Sequence, residues 1–342
     1  MKKVTLPILC LALIGAVSSC FDPNIDQSSL SAGSDRNAKQ GDSPRSCASM
    51  DVLAENIKEN PGLAKKMEEI DEHAAKFAAQ RNGRAAAGTA VPYSGVITIP
   101  VRVHVLYNTA AENISLYQIK SQITVLNQDY SNTNADRTML PGVFSGLASN
   151  MQIQFTLADT DVDRKQSNKT SWGTRDAMKS SKKGGVDAYD PANYLNIWIC
   201  NIGGGILGYA QFPGGTLATD GVVIGPQYFG SSSVFAGGYY SAPYDKGRTA
   251  THEIGHWLNL RHIWGDANCG SDLVADTPTQ QTSNFGCPSF PHVTCGNGPN
   301  GDLFMNYMDY TDDPCMYMFT NGQTTRSRAL FASDGVRRTF VQ

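Results

Sequence analysis

The apolar positions of this chain change their spacing along its length, and each change marks an element. Within residues 48–80, Leu63, Met67, Ile70, Ala74 and Phe77 recur at helical spacing and line one face. Asn60-Pro61 interrupts this stretch as an N-cap followed by proline at the first helical position, so an amphipathic helical hairpin is predicted. Residues 95–108, GVITIPVRVHVLYN, switch to a period of two with β-branched residues and read as a strand. Residues 115–131 return to the helical period, with Ile119, Ile123, Leu126 and Tyr130 on one face. Short apolar runs at 151–159, 194–202 and 220–226 predict further strands. A glycine-rich loop over 229–248 then leads into another helix, and the residues beyond 262 are loop-rich with weak periodicity. The middle of the chain therefore reads as a mixed strand–helix layer, and its end as a region suited to disulfides and bound ions.

Two polar stretches divide this pattern. Residues 21–46 are rich in Ser, Asp and Gly and read as a tether without a core. Residues 80–90, QRNGRAAAGTA, are small and carry Arg81 and Arg84, the composition of a site prone to proteolytic nicking, and a domain boundary is placed there. The N-terminus combines Lys2 and Lys3 with an apolar run over 4–17 and small residues, the pattern of a bacterial-type export signal. Residues 17–20, VSSC, also resemble a lipobox, so two anchoring modes stand open: lipidation at Cys20, or ordinary cleavage nearby. Either route leads to the secreted or cell-surface compartment, where disulfides persist.

Composition adds exclusions. The chain of 342 residues is 41% hydrophobic and 17% charged, ordinary for a globular protein, and its net charge of −3 points to no nucleic-acid partner. No long apolar run follows the N-terminus, so no membrane span is predicted. Of the 8 cysteines, Cys10 and Cys20 belong to the signal, and Cys47 and Cys200 stand alone. Cys269, Cys287, Cys295 and Cys315 cluster late and read as two disulfides, for which three pairings are open.

Residues 252–262, HEIGHWLNLRH, hold three of the 6 histidines. On a helix, His252 and His256 lie one turn apart on one face and can chelate a single ion. His262 is too far along for the same face, so the chain must turn sharply after Leu258 to return it. Three neutral imidazoles suit one zinc ion and leave its fourth position open to water, whose pKa zinc lowers towards neutrality. Glu253 then serves as the general base that takes the water's proton and passes it to the leaving amine. Incidental histidines on a surface helix do not account for a spacing this complete.

The stretch resembles the metzincin pattern H-E-x-x-H-x-x-G-x-x-H with a later Met-turn, departing from it at Asn259. Glycine there supplies a positive φ. Asparagine tolerates that region best among the other residues, so Asn259 is expected to be left-handed. Residues 304–323, FMNYMDYTDDPCMYMFTNGQ, resemble the Met-turn of the pappalysin–ulilysin family of metzincins, and the likeness extends over about residues 44–332.

That resemblance implies an α/β (α+β) catalytic domain of two subdomains. A twisted mixed five-stranded sheet with helices stands above the cleft, an irregular subdomain lies below, and a helical pro-segment precedes both. It divides the chain into a signal peptide, 1–20, a pro-segment, 21–83, and a catalytic domain, 84–342, whose upper part is 84–262 and lower part 263–342. It implies Met308 as the hydrophobic floor under the zinc and Tyr310 as the group that stabilises the oxyanion. It implies disulfides Cys269–Cys295 and Cys287–Cys315. One or two structural calcium ions are implied in the loop after the third histidine, where Asp272 and Thr277 offer oxygen ligands, whereas Asp266 and Asp276 also read as surface-turn residues. Cys47, just after an arginine, is implied to fill the fourth zinc position in a latent form, with activation by cleavage at Gly83–Arg84. Asp312 and Asp313 lie near the segment implied to line the specificity pocket, where a carboxylate favours Arg or Lys on the primed side of the scissile bond. Residues 208–213, GYAQFP, are the candidate for the edge that pairs with an antiparallel polypeptide substrate. The reading is thus an exported zinc endopeptidase made as a zymogen. Its rivals are an exported binding or adhesin module that retains a structural zinc, and a zinc hydrolase of non-peptide amides.

Overall fold

The computed structural model describes residues 44–81 and 91–341. The predicted export signal, Cys20 and the predicted cleavage site at Gly83–Arg84 lie outside the described residues.

Two helices come first, α1 (Ser49–Glu59) and α2 (Gly62–Arg81), with Pro61 in the turn just ahead of α2. α2 buries the five apolar residues predicted for its inner face, Leu63, Met67, Ile70, Ala74 and Phe77. That face is divided among three neighbours. Leu63 and Met67 pack with Phe212, Ile70 joins the main core, and Ala74 and Phe77 pack with Ala329 and Ala332.

The sheet contains β1 (Ile97–Tyr107), β2 (Ile153–Thr156), β3 (Val162–Gln166), β4 (Leu195–Ile199), β5 (Gly208–Ala210) and β6 (Val222–Ile224). Its order is β2-β1-β4-β6-β5, with β3 also paired to β1. Six strands thus occupy five positions, because β2 and β3 share one flank of the long β1. β2 pairs in register with Ile97–Pro100, and β3 with Val103–Tyr107. The polar β3, VDRKQ, carries no alternating apolar signal and was not expected from the pattern. β4, LNIWI, is buried at every position, as expected for a central parallel strand covered on both faces. All pairs are parallel except β5–β6, so the sheet is mixed and β5 runs against its neighbours at the edge.

α3 (Leu116–Tyr130) is capped by Ser115, whose side chain accepts from the Gln118 backbone. It buries Ile119, Leu126 and Tyr130, while Ile123 is only partly covered. α4 (Arg248–Trp257) is buried at all ten positions, so the histidine helix is a core helix rather than a surface one. α3 and α4 are tied by a buried polar knot: Asp129 pairs with Arg248 and accepts from Thr251 Oγ1 at 2.7 Å and Tyr307 Oη at 3.1 Å. α5 (Asn321–Ala329) opens with a capping box between Thr320 and Gln323. Asp276 reinforces it, accepting from Thr320 Oγ1 and the Gly322 backbone, so this acid has a structural task. Between α4 and α5 the chain is irregular and is braced by disulfides Cys269–Cys295 and Cys287–Cys315. Cys47 and Cys200 are free, and Cys200 is buried. Among the described residues, no helix is long and apolar enough to cross a membrane.

Candidate active site

α4 ends in a turn that the sequence HWLNL encodes locally. Asn259 adopts φ 69°, the left-handed conformation expected of it. Its backbone donates to the His256 carbonyl, and Leu260 N donates to the Gly255 carbonyl, both at 2.9 Å. These two bonds make a Schellman end, in which the residue after the C-cap takes positive φ and closes the last carbonyls. The turn brings His262 back, with its Nε2 3.1 Å from that of His256. The His252 and His256 Nε2 atoms are likewise 3.1 Å apart.

Each imidazole is fixed through its other nitrogen. Nδ1 of His252 meets the Tyr307 carbonyl at 2.7 Å, that of His256 the Leu260 carbonyl at 2.8 Å, and that of His262 the Asp266 carboxylate at 2.6 Å. A carbonyl accepts only a donated proton, so His252 and His256 carry theirs on Nδ1 and present bare Nε2 lone pairs. Burial, followed by the charge of the neighbouring histidines, holds both well below the usual histidine range. Trp264 stacks on His262 at 4.3 Å between ring centroids. Converging lone pairs oriented by a surrounding shell of acceptors are the arrangement of a metal centre. The ligand atoms of Cys47, His252, His256 and His262 lie within 4.8 Å of one another, so the donor set fits a tetrahedral N₃S cation site.

Beneath the helix, Met308 is fully buried, and a Cβ on Gly255 would come within 2.4 Å of its Sδ. The glycine inside HEIGH is therefore what lets the Met308 turn approach α4. Above the helix, Glu253 is 1% exposed, and burial pushes its carboxyl up to about 7. Its Oε2 accepts from Ser49 Oγ at 2.8 Å and from Cys47 Sγ at 3.3 Å. Burial and the Glu253 charge hold the Cys47 thiol well above its ordinary range. A cation at the histidines acts in the opposite sense, because the thiolate is the ligand form. Tyr310 Oη donates to the Cys47 carbonyl at 3.3 Å, and its ring lies 4.9 Å from that of His262.

The segment carrying Cys47 is paired to the sheet edge. Leu207 N donates to the Ser46 carbonyl at 2.9 Å, and Ala48 N to the Gly208 carbonyl at 3.1 Å, a parallel bridge beside β5. Ser49 Oγ also accepts from the Ala210 backbone at 2.8 Å. Two residues before the cysteine, Arg45 is 3% exposed and forms an ion pair with Asp313, which is wholly buried. Arg45 Nε donates to the Thr311 carbonyl at 3.1 Å, and the guanidinium lies 5.0 Å from the centre of the Tyr244 ring. Asp313 Oδ2 accepts from the backbones of Lys246 and Arg248 at the start of α4. Asp312 is half-buried beside this pocket, and Asp313 is the acid that meets Arg45.

In the loop after the third histidine, Thr277 Oγ1 donates to Asp272 Oδ1 at 2.8 Å, and Val274 N donates to it at 3.1 Å. Asp272 Oδ2 is buried without a hydrogen-bond partner, and burial pushes this carboxyl up to about 6.

Arg45, Ser49 and the orienting role of Asp266 were not read from the sequence. The signal for Arg45 was its place beside Cys47, which has meaning only once an acid is expected in the cleft. Ser49 and Asp266 gave none, since their partners are far along the chain or depend on the turn at Asn259.

A buried HExxH helix, a Schellman turn returning a third histidine and a methionine turn beneath define a metalloprotease of the metzincin type. A family model described as "Pregnancy-associated plasma protein-A" matches residues 179–332. An extracellular metalloprotease of Pyricularia oryzae is 33% identical over 83% of this chain and 93% of its own length. Extracellular metalloprotease 1 of Coccidioides posadasii is 34% identical over 69% and 77%. Among solved structures, mature mirolysin of Tannerella forsythia with a cleaved peptide superposes with TM-score 0.69 at 48% identity, covering 72% of this chain and 96% of that one. A promirolysin mutant from the same organism reaches 0.76 at 42% identity, covering 86% and 97%. The chain belongs to the pappalysin family of metzincin metalloproteases.

Proposed function

We propose that the chain is an exported zinc endopeptidase made latent, with residues 21–83 as pro-segment and 84–342 as catalytic domain, divided at 262 into upper and lower parts. Export agrees with the names of the extracellular relatives and with the basic and apolar N-terminus. The observation that carries the reading is the crossing of the cleft by residues 45–49, which engage the histidine cluster, Glu253, the sheet edge and Asp313 at once.

His252, His256 and His262 would hold the zinc, and Cys47 would complete the set in the latent chain. Zinc held there supplies Lewis acidity to a scissile carbonyl and to water. Glu253, freed of Cys47 and Ser49, takes the proton of the attacking water as the water oxygen bonds to the carbonyl carbon. It then delivers that proton to the amine nitrogen as the C–N bond breaks. Tyr310, freed of the Cys47 carbonyl, has its hydroxyl available to donate to the oxyanion.

Latency has a geometric reason. Residues 46–48 run parallel to β5, the reverse of the antiparallel pairing proposed for a substrate. In this reversed course Arg45, although N-terminal to Cys47, fills the pocket of Asp313. A substrate running the other way would place there the residue after the scissile bond. Arg45 thus acts as a stand-in for a basic side chain, and a preference for Arg or Lys follows from a buried carboxylate whose Oδ2 is held by backbone donors and whose Oδ1 is left for a cation.

Calcium is proposed at Asp272 and Thr277, supported by the unpartnered buried Oδ2. Removing calcium with a selective chelator, or substituting Asp272→Asn, is expected to lower the unfolding temperature in calcium-containing buffer by several degrees. Equal melting of wild type with and without calcium would remove this ion from the reading.

The test of the whole is made on the purified chain supplied with stoichiometric zinc. The intact chain is expected to leave an unstructured polypeptide uncut, and the chain trimmed within 82–90 is expected to degrade it. Cys47→Ala is expected to act without trimming. The reading fails if the trimmed, zinc-loaded chain cleaves no polypeptide, and the switch role of Cys47 fails if its variant is as silent as wild type.

A further inference from the structure

Asp71 lies on α2, and its carboxylate is gripped by three groups from far along the chain. Oδ2 accepts from Arg261 Nη2 at 2.8 Å, while Oδ1 accepts from Arg326 Nη2 and from Asn259 Nδ2, the latter at 3.3 Å. The donors are preassembled on one another, since Arg326 Nε donates to the Asn259 carbonyl at 2.7 Å. The Arg326 side chain is 5% exposed and that of Arg261 24%, so two guanidiniums of like charge are held together with only limited access to water. A carboxylate between them removes their repulsion and accepts from both. Asn259 adds a donor that the glycine of the usual pattern would lack.

We propose that Asn259, Arg261 and Arg326 form a carboxylate-binding site of the catalytic domain, separate from the histidine cluster and from the Asp313 pocket, and that its ligand in the latent chain is Asp71. The assignment rests on the reading of the residues before 84 as a pro-segment. All three donors lie after the 82–90 segment and the acceptor lies before it. A cut in that segment therefore leaves ligand and site on different chains, joined by non-covalent contacts alone. The apolar residues of α2 supply attraction without direction, whereas Asp71 fixes the rotation and register of the helix on the enzyme. The pro-segment then has two independent grips: Arg45 with Cys47 in the cleft, and Asp71 at the turn that returns the third histidine.

Hydrogen exchange of the full chain, read by mass spectrometry, tests this without any need for catalysis. Asp71→Asn keeps the shape and removes the charge, and is expected to speed exchange across residues 62–81 by about tenfold. Asp334→Asn, which breaks the exposed pair with His73 on the same helix, is expected to leave it unchanged. Arg261→Gln, at the more exposed donor, is expected to speed exchange severalfold and covers the case in which Asp71→Asn does not fold. The site is overturned if both Asp71→Asn and Arg261→Gln exchange like wild type over 62–81, or if Asp334→Asn speeds exchange as much as they do. A Cys47→Ala chain that stays latent would sink the switch reading and leave this result standing, because exchange in α2 does not depend on activity.

Discussion

Glu253→Ala in the trimmed chain is expected to lower the rate of polypeptide hydrolysis by about 10²–10⁴-fold, the range over which a positioned general base acts. The carboxylate is buried beside His252 and reaches into the cleft, where its Oε2 accepts from Cys47 Sγ and Ser49 Oγ. Alanine removes the proton acceptor and leaves the three imidazoles and their backbone partners in place. Zinc content, measured by atomic emission, should therefore stay at the wild-type level while activity falls. A variant that keeps more than a tenth of the wild-type rate at equal zinc content would show that the proton goes elsewhere. Glu253→Gln separates charge from shape: it should be as inactive as alanine if proton transfer is the lost step.

Asp313→Asn carries the second large effect. Breaking one half of a buried, hydrogen-bonded charge pair costs about 2–5 kcal/mol, or roughly 30-fold or more in selectivity at 1.36 kcal/mol per decade. The comparison is kcat/KM for peptides that differ only in the residue after the scissile bond, Arg against Leu. Wild type should favour Arg, and Asp313→Asn should erase the preference by slowing the Arg peptide rather than by speeding the Leu peptide. The same substitution should loosen Arg45 and shorten the lag before activation, since the carboxylate proposed to bind a basic substrate residue is the one that holds Arg45. A ratio unchanged by the substitution would return Asp313 to a helix-start role, holding the Lys246 and Arg248 backbones. That role is present in either case, so the melting temperature should be recorded alongside.

How far the sequence could be read depended on how local each interaction was. The first four helices and the strands with apolar alternation were legible because their pattern is a short-range property of the chain, whereas α5 falls in the stretch read as loop-rich, where its mostly polar sequence NGQTTRSRA carries no apolar period. The turn at Asn259 was legible too, since positive φ at a Schellman end is decided within a few residues. β3 was not, because VDRKQ becomes a strand through pairing with β1 and through Asp163, which bridges Arg102 and His104 across the sheet. Likewise nothing in the local sequence of α2 set Asp71 apart from the other acids of that helix, Glu68, Glu69 and Glu72, all of which are exposed.

The candidate site divides along the same line. The proposed chelating pair His252 and His256, the proposed base Glu253 and the returning His262 are placed by helical periodicity and one turn, so the linear order of residues determined where they stand. Which side chains close around that centre was decided only by the tertiary structure. Arg45 finds Asp313 across 268 positions, and Asp71 finds Arg326 across 255. Both pairings are ionic contacts between buried or half-buried groups, whose strength depends on exclusion from water, and that exclusion exists only once the sheet, α4 and the two N-terminal helices have packed together.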